Sequence, residues 1–223
     1  MNEIDFMGSL HKSTTRDYLA RVNDKDYPKA KAAKLAKKFD YDYWDGDRRI
    51  CYGGYKYFEG RWEIIAKKMV EVYKLPQKAK ILDIGCGKGY LLFDFLKVLP
   101  SAEVHGIDIS NYAIENSKKE IKDKLKVGNA AELPYEDNYF DLVISINTLH
   151  CLEAPSLFKS LKEMERVGNS LKYLCVESYR NEMEKANLLY WQVSCEAFNT
   201  PLEWLWWFNL AGYSGDYSFI YFE

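Results

Sequence analysis

A short buried strand, a glycine-rich turn and an apolar helix follow one another between Lys80 and Val98. Lys80-Ile-Leu-Asp-Ile84 predicts the strand, and Asp83-Ile-Gly85-Cys-Gly87-Lys-Gly89 closes it with glycines spaced two residues apart. Glycines at such a turn let the backbone bend sharply and approach a ligand, while the start of the following helix offers N–H groups to an anion. This feature predicts an α/β fold with a ligand at the turn.

Strand and helix patterns alternate along the rest of the chain. Apolar runs predict further strands at 103–109, 125–129, 140–146, 172–177 and 218–223, and helices at 61–73, 111–122, 154–167, 182–197 and 202–210. Such alternation is typical of a parallel sheet with helices on both faces. We predict an α/β, doubly wound, mostly parallel sheet of the seven-stranded type, preceded by an N-terminal cap of helix and loop.

The first sixty residues lack a strong hydrophobic period apart from a helix predicted over 28–39. Residues 41–58 combine aromatic side chains, glycines and charges, a mixture typical of a binding loop or lid. We therefore expect a cap and substrate lid over 1–60. One compact domain is expected over 61–223.

Composition and charge exclude several classes of protein. The net charge of −2 and the pI near 6.0 provide no basic footprint for nucleic acid. No apolar run reaches the roughly 18 residues that cross a bilayer, and the cysteines form no C-x-x-C pair. We predict a cytoplasmic monomer or homodimer that acts on a small molecule, with no nucleic-acid partner, no membrane span and no metal.

An acidic residue at the end of the second predicted strand complements the glycine turn. Asp108 follows Gly85 by 23 residues, a position from which a carboxylate can accept hydrogen bonds from both hydroxyls of a ribose. The G-x-G-x-G spacing departs from the G-x-G-x-x-G of dinucleotide enzymes. An NAD-dependent oxidoreductase is therefore the second hypothesis.

These motifs resemble the class I S-adenosylmethionine-dependent methyltransferases over about residues 61–180. Further similarities are Leu133-Pro134-Tyr135 with Phe140-Asp141, and Asn147-Thr-Leu-His150. The resemblance implies S-adenosylmethionine (SAM) as cofactor and S-adenosylhomocysteine (SAH) as product. It assigns the glycine loop to the methionine part, Asp108 to the ribose and Ile109 to the adenine. The implied cofactor-binding residues are Asp83, Gly85, Cys86, Gly87, Gly89, Asp108, Ile109, Asn129, Ala130 and Asn147.

Two side chains are candidates for a general base if the acceptor is a hydroxyl. His150 lies just beyond the fourth predicted strand, and Glu177 ends the fifth. His150 can equally be a packing residue. Methyl transfer is an in-line displacement that mainly requires alignment and exclusion of water, so no metal is needed.

The predicted lid supplies candidate contacts for the acceptor. Arginine forks bind phosphate or carboxylate, and tyrosines stack on sugars or bases. The candidate substrate-binding residues are Arg48, Arg49, Tyr52 and Tyr55 in the lid, with Tyr179 and Arg180 after the fifth strand. They predict a small anionic acceptor, with O-methylation of a phosphorylated or nucleotide-linked sugar as the leading hypothesis. The arginines can instead pair with Asp45 and Asp47.

Two alternative functions are methylation of nucleic acid and SAM binding without catalysis. Amino-directed nucleic-acid methyltransferases resemble an Asn/Asp-Pro-Pro-Tyr pattern after strand four, where this chain has Asn147-Thr-Leu-His150, so that class is disfavoured. A non-catalytic SAM-binding module is the third hypothesis after the oxidoreductase. Whether oxygen or nitrogen receives the methyl group stays open.

Overall fold

The computed structural model describes residues 1–11 and 16–223. In these residues the helices are α1 (Gly8–His11), α2 (Tyr18–Asn23), α3 (Lys29–Ala36), α4 (Tyr41–Trp44), α5 (Glu63–Tyr73), α6 (Tyr90–Val98), α7 (Asn111–Glu115), α8 (Ala154–Val167), α9 (Glu182–Trp191) and α10 (Pro201–Ala211). The strands are β1 (Lys80–Ile84), β2 (Glu103–Asp108), β3 (Leu125–Val127), β4 (Phe140–Ile146), β5 (Gly168–Glu177) and β6 (Asp216–Ile220).

The strands form one sheet in the order β3-β2-β1-β4-β5-β6, and every neighbouring pair is parallel. This confirms the predicted α/β parallel architecture. The described part of the chain has six strands, however, so the seven-stranded type was wrong in its count. The segment between β5 and β6 is taken up by α9 and α10, and the chain returns from them directly into a strand parallel to β5.

The sheet separates two apolar layers. Successive residues of β1 point to opposite faces, so Ile81 packs in a cluster with Met69 of α5, whereas Leu82 packs in a second cluster with Leu161 of α8 and Trp204 of α10. All five side chains are fully buried. Burial on both faces explains why the apolar residues Ile81 and Leu82 are consecutive in β1 rather than alternating with polar ones.

The reversal of strand order between β1 and β4 positions the site. In an open parallel sheet the crossover helices on either side of such a reversal diverge, and a crevice forms at the carboxyl ends of the two strands. Gly85 follows β1 and Asn147 follows β4 at this edge. The glycine turn predicted from the sequence therefore opens into the crevice.

Helix α10 fixes the end of the neighbouring strand β5. It begins with a capping box, in which the backbone N–H of Glu203 donates to Thr200 Oγ1 at 3.3 Å and that of Thr200 to Glu203 Oε2 at 2.6 Å. Its buried Trp204 donates from Nε1 to the carbonyl oxygen of Glu177 at 2.9 Å. The last residue of β5 is thereby held at the rim of the crevice.

The helix predicted over 111–122 is much shorter, because α7 ends at Glu115. The side chains just after it bond to the backbone: Asn116 Nδ2 donates to the carbonyl oxygen of Tyr112 at 2.8 Å, and Ser117 Oγ to that of Ile114 at 2.7 Å. Such bonds satisfy carbonyls that a continuing helix would use.

The N-terminal residues cover the outer edge of the sheet. Ile4 N–H donates to the carbonyl oxygen of Tyr217 in β6 at 2.8 Å, and Phe6 packs edge-on against Tyr173 with ring centroids 4.9 Å apart. Pairing of this kind satisfies an otherwise open strand edge. Residues 27–55 contribute to a third apolar cluster, in which Trp44 and Ile50 pack with Ala113 and Val193.

Candidate functional site

Gly85 and Gly87, in the turn after β1, occupy positions that require glycine. Gly85 and Gly87 have φ angles of +77° and +54°, in the left-handed region that residues with a side chain rarely adopt. A Cβ on Gly85 would lie 2.0 Å from Thr148 Oγ1, and one on Gly87 would lie 2.8 Å from the Trp44 ring. The side chains of Thr148 and Trp44 therefore pack directly against the backbone of the loop.

Asp108 ties the glycine turn to β2. Its Oδ2 accepts a hydrogen bond from the backbone N–H of Gly87 and its Oδ1 accepts one from that of Ser110, both at 2.8 Å. Burial raises the pKa of Asp108, and the two amide bonds offset part of this shift. Each carboxylate oxygen has further acceptor capacity, so hydroxyl donors such as those of a ribose fit here.

Asn147 is strained and incompletely bonded. It follows β4 with a φ angle of +55°, uncommon for a residue with a side chain, and its buried Oδ1 has no hydrogen-bond partner in the described residues. Strained backbone and orphaned buried acceptors are both rare, and they concentrate at functional sites. Asn147 therefore offers an acceptor to a ligand.

A cavity of about 630 Å³ lies at this edge of the sheet. Of the predicted cofactor residues, those that line it are Gly85, Cys86, Gly87, Asp108, Ile109, Asn129, Ala130 and Asn147. Asp83 and Gly89 do not. Asp83 lies in β1 beneath the turn, where burial and the neighbouring Asp108 raise its pKa to about 7, and a Cβ on Gly89 would meet Ile121 at 2.5 Å. These two residues support the turn from behind.

Glu177 and His150 form a buried pair on the same cavity. Oε2 of Glu177 lies 3.4 Å from Nε2 of His150, and the backbone N–H of Glu177 points at His150 Nδ1, also at 3.4 Å. Gln192 Nε2 donates to Glu177 Oε1. Burial raises the pKa of Glu177 to about 8 and lowers that of His150 to about 3. The carboxyl group is therefore poised to gain or lose a proton near neutral pH.

Comparison with known proteins assigns the chain to a family. A family model described as a methyltransferase domain matches residues 75–212, well over half of the chain. The chain belongs to this methyltransferase family. The matched range contains the glycine turn, Asp108, Asn147, His150 and Glu177, and the match confirms the resemblance to class I methyltransferases seen in the sequence.

Solved structures share the fold of this chain. The YcgJ protein from Bacillus subtilis superposes with a TM-score of 0.52 at 20 % identity and covers 66 % of each chain. The MccD protein gives 0.52 at 22 % identity over 65 % of this chain and 68 % of its own. At these identities the likeness concerns the fold alone.

Curated relatives match this chain over part of their length. A demethylmenaquinone methyltransferase from Symbiobacterium thermophilum is 32 % identical over 128 residues, which are 53 % of this chain and 50 % of that protein. One from Staphylococcus aureus is 36 % identical over 106 residues, 45 % of this chain and 43 % of its own. The chain thus spans about half the length of these relatives or less.

The family implies SAM as the cofactor, and the residues of this cavity fit that molecule. Gly85 and Gly87 line the cavity, Asp108 offers a carboxylate to the ribose, and Asn147 offers an unpartnered oxygen. Ile109 lies beside Asp108 with 58 % of its surface exposed, an apolar face that suits a purine.

A segment of the cap is pinned over the glycine turn. Trp44 Nε1 donates to Ser110 Oγ at 2.9 Å. Lys88 Nζ, inside the turn, forms an ion pair with Asp45 Oδ2 at 2.6 Å, and Tyr112 donates to the same carboxylate at 2.8 Å. Although burial raises the pKa of Asp45, these hydrogen bonds lower it overall. No sequence pattern indicated the role of Trp44, and the sequence offered Asp45 as a partner of the arginines, whereas Asp45 pairs with Lys88.

The predicted acceptor residues separate into two groups. Arg48, Tyr52 and Tyr55 line the cavity, whereas the other three do not. Arg49 forms ion pairs with Asp47 at 2.6 Å and Asp26 at 3.0 Å.

The remaining two predicted acceptor residues are also occupied elsewhere. Arg180 pairs with Glu184 and, at 2.6 Å, with Glu223, and Tyr179 is buried in the core cluster below the sheet. Arg49, Tyr179 and Arg180 are therefore not cavity residues, because neighbouring side chains already satisfy or bury them.

Other cationic and aromatic side chains also line the cavity, although no sequence pattern predicted them there. They are Arg16, Arg21, Arg61, Trp62, Trp191 and Phe222. Arg21 and Trp191 belong to α2 and α9, which pack against one another although 170 residues separate the two side chains. No local period could pair them.

Metal and membrane features are absent from the part of the chain that was described. In residues 1–11 and 16–223, no three His, Cys, Asp or Glu side chains are grouped to hold a metal ion. Over the same residues, none of the helices has both the length and the apolar character that crossing a bilayer requires.

Proposed function

We propose that the protein transfers a methyl group from SAM to a small anionic acceptor, with Glu177 as the general base. One observation carries the proposal: the glycine turn with Asp108 and the buried pair of Glu177 and His150 line the same cavity. The residues suited to the cofactor and the proposed proton acceptor therefore face the same cavity.

The cofactor end is assigned to residues that the geometry leaves available. When bound, SAM supplies a methyl group on a positively charged sulfur, which leaves as the neutral thioether SAH. Asp108 would accept hydrogen bonds from the ribose hydroxyls, Asn147 Oδ1 would accept one from a ligand donor, and Ile109 would contact the adenine. Asn129 and Ala130, which also line the cavity, would lie beside the adenine.

Glu177 would accept the proton of the acceptor's hydroxyl group. Its Oε2 is buried without a hydrogen-bond partner in the described residues, although it lies on the cavity, while Gln192 holds Oε1. His150 would act as a positioning residue. Its Nδ1 faces a backbone N–H, so a neutral imidazole carries its proton on Nε2, the atom that faces Glu177.

Aromatic walls and arginines support a flat, anionic acceptor. The aromatic side chains on the cavity are Phe39, Tyr43, Trp44, Tyr52, Tyr55, Trp62, Trp191 and Phe222. Such walls favour a ring that can stack, and two relatives are named demethylmenaquinone methyltransferases. We infer that a hydroxylated aromatic acid is favoured as acceptor over the phosphorylated sugar that the arginines alone would suggest.

We infer further that residues 41–61 form the lid of the acceptor site. The contacts of Asp45 with Lys88 and of Trp44 with Ser110 support a closed position over the glycine turn. Closure would exclude water from the displacement. The cysteines, Cys51, Cys86, Cys151, Cys175 and Cys195, are all free, which supports the cytoplasm as its compartment.

Release of SAH from SAM across an acceptor panel tests this function. The panel contains hydroxylated aromatic acids, quinols and phosphorylated sugars, assayed with the wild type and with Glu177→Gln. We expect turnover with aromatic acids by the wild type only. Turnover confined to sugars would overturn the acceptor class. Binding of SAH without turnover of any acceptor would favour a non-catalytic module.

A further inference from the structure

Arg21 and Arg48 converge on one tryptophan in the acceptor part of the cavity. The guanidinium carbon of Arg21 lies 5.1 Å from the centroid of the Trp191 ring, and that of Arg48 lies 5.6 Å from it. Arg21 Nη1 also donates to the carbonyl oxygen of Trp191 at 2.9 Å, and Arg48 Nη1 donates to that of Cys51. Backbone and ring contacts thus fix both guanidinium groups.

Neither arginine has a counter-charge within residues 1–11 and 16–223. No carboxylate of that part of the chain forms an ion pair with Arg21 or Arg48, whereas Arg49, one residue further on, pairs with Asp47 and Asp26. The two cations also disfavour each other. Burial lowers the pKa of Arg21, and the charge of Arg48 lowers it further, although Cys51 opposes the shift.

An arrangement of this kind is unfavourable without an anion. The guanidinium of Arg21 is partly buried and loses hydration, and that of Arg48, although exposed, adds a second positive charge beside it. An oppositely charged group with hydrogen-bond acceptors offsets both effects. Guanidinium groups present paired N–H donors in a plane, the geometry that carboxylate and phosphate oxygens accept. Arg21 and Arg48 both line the cavity, and their remaining N–H donors therefore match the oxygens of an oxyanion.

The position of this pair relates it to the proposed base. Trp191 is followed directly by Gln192, which donates to Glu177 Oε1. All of these side chains line the same cavity. An acceptor with its anionic group on the arginines would share this wall with the base.

We propose that Arg21, Arg48 and Trp191 form the subsite for the anionic group of the acceptor, a carboxylate or a phosphate attached to an aromatic ring. This inference rests on the proposed methyl transfer and names the part of the acceptor that the protein recognises. The cationic pair binds the oxyanion, and Trp191 holds the two guanidinium groups through its ring.

Calorimetric titration of the SAH-bound protein tests the subsite. The probes are 4-hydroxybenzoate, phenyl phosphate and the uncharged methyl 4-hydroxybenzoate. We expect the wild type to bind at least one anionic probe about tenfold or more tightly than the neutral ester, an advantage of about 1.4 kcal/mol. Arg21→Gln and Arg48→Gln should each remove most of that advantage, without a change for the ester.

Two variants act as controls. Arg49→Gln removes a neighbouring guanidinium that lies outside the cavity, so it should change no probe affinity. Arg48→Lys keeps the charge without the fork and should retain part of the affinity. Melting temperatures are measured for each variant to show that it folds.

The outcomes separate this inference from the proposed function. If SAH binds but the anionic probes bind no more tightly than the ester, or not at all, the subsite is wrong and methyl transfer stands. Equal losses in Arg48→Gln and Arg49→Gln would also overturn it, because the effect would then be general electrostatics. Failure of SAH to bind the wild type would overturn the function itself.

Discussion

Nε2 of His150 lies 3.4 Å from Oε2 of Glu177, and burial pushes both side chains toward their neutral forms. Only 2 % of the His150 surface and 5 % of the Glu177 surface are exposed. A pKa of about 8 for Glu177 means that its carboxylate form increases as the pH rises through that value. A base with such a pKa is well matched to proton transfer near neutral pH.

Glu177→Gln should remove the proton acceptor while keeping the size of the side chain. With a hydroxyl acceptor, we expect turnover to fall about 10²–10⁴-fold. The wild-type rate should rise with pH and level off above about 8, whereas the variant should be nearly independent of pH. SAH affinity, measured by titration, should stay unchanged. A wild-type pH profile retained in Glu177→Gln would exclude Glu177 as the base.

The same substitution should stabilise the protein at alkaline pH. The pKa of Glu177 is raised from 4.5 to about 8 in the folded state. Its contribution to stability is therefore fully present below pH 4.5 and is lost as the pH rises through about 8. At about pH 9, Glu177→Gln should gain on the order of 2 kcal/mol, or roughly 5 °C in Tm. An equal gain at about pH 4 would contradict this linkage.

Asp108→Ala should weaken SAH binding by about 1.5–3 kcal/mol, because a charged acceptor of ribose hydroxyl bonds is lost. The loss includes the support that Asp108 gives to the Gly87 N–H. Asp108→Asn keeps an acceptor oxygen and should lose less. Asp123→Asn removes an exposed carboxylate that pairs with Lys124, so it is the matched control. An unaltered SAH affinity in Asp108→Ala would remove Asp108 from the site.

Gly87→Ala should strain the turn and displace Trp44. The φ angle of +54° costs an alanine about 1 kcal/mol, and the new Cβ would lie 2.8 Å from the indole. Trp44→Leu shortens the opposing side chain. If this contact matters, urea unfolding will show that Gly87→Ala costs less stability in the Trp44→Leu background. Additive losses would mean that backbone strain alone acts at Gly87.

Local patterns predicted the elements that bury an apolar face. Strand β4 and helix α8 span Phe140–Ile146 and Ala154–Val167, the ranges expected from their apolar residues. The six strands predicted from local patterns were all found in the sheet. The count of seven came only from the predicted sheet type, since no seventh segment of the chain has a strand pattern. Helix α7 ended early because side chains after Glu115 bond to its carbonyls.

The candidate site was predictable where its residues follow strands directly. Asp108, Asn147 and Glu177 all lie at the carboxyl ends of parallel strands, and each lines the cavity. Residues brought in by tertiary packing had no such signal. Arg21 and Trp191 meet only because α2 packs on α9, and Arg49 left the predicted set because Asp26 and Asp47 bind it.

The most direct test of the account is a calorimetric titration of the wild type with SAH and, separately, with NAD. The glycine turn, Asp108 and Asn147 predict one-to-one binding of SAH, no binding of NAD, and a clearly weaker SAH interaction in Asp108→Ala. Binding of NAD without binding of SAH would contradict the account, since the same cavity would then belong to an oxidoreductase.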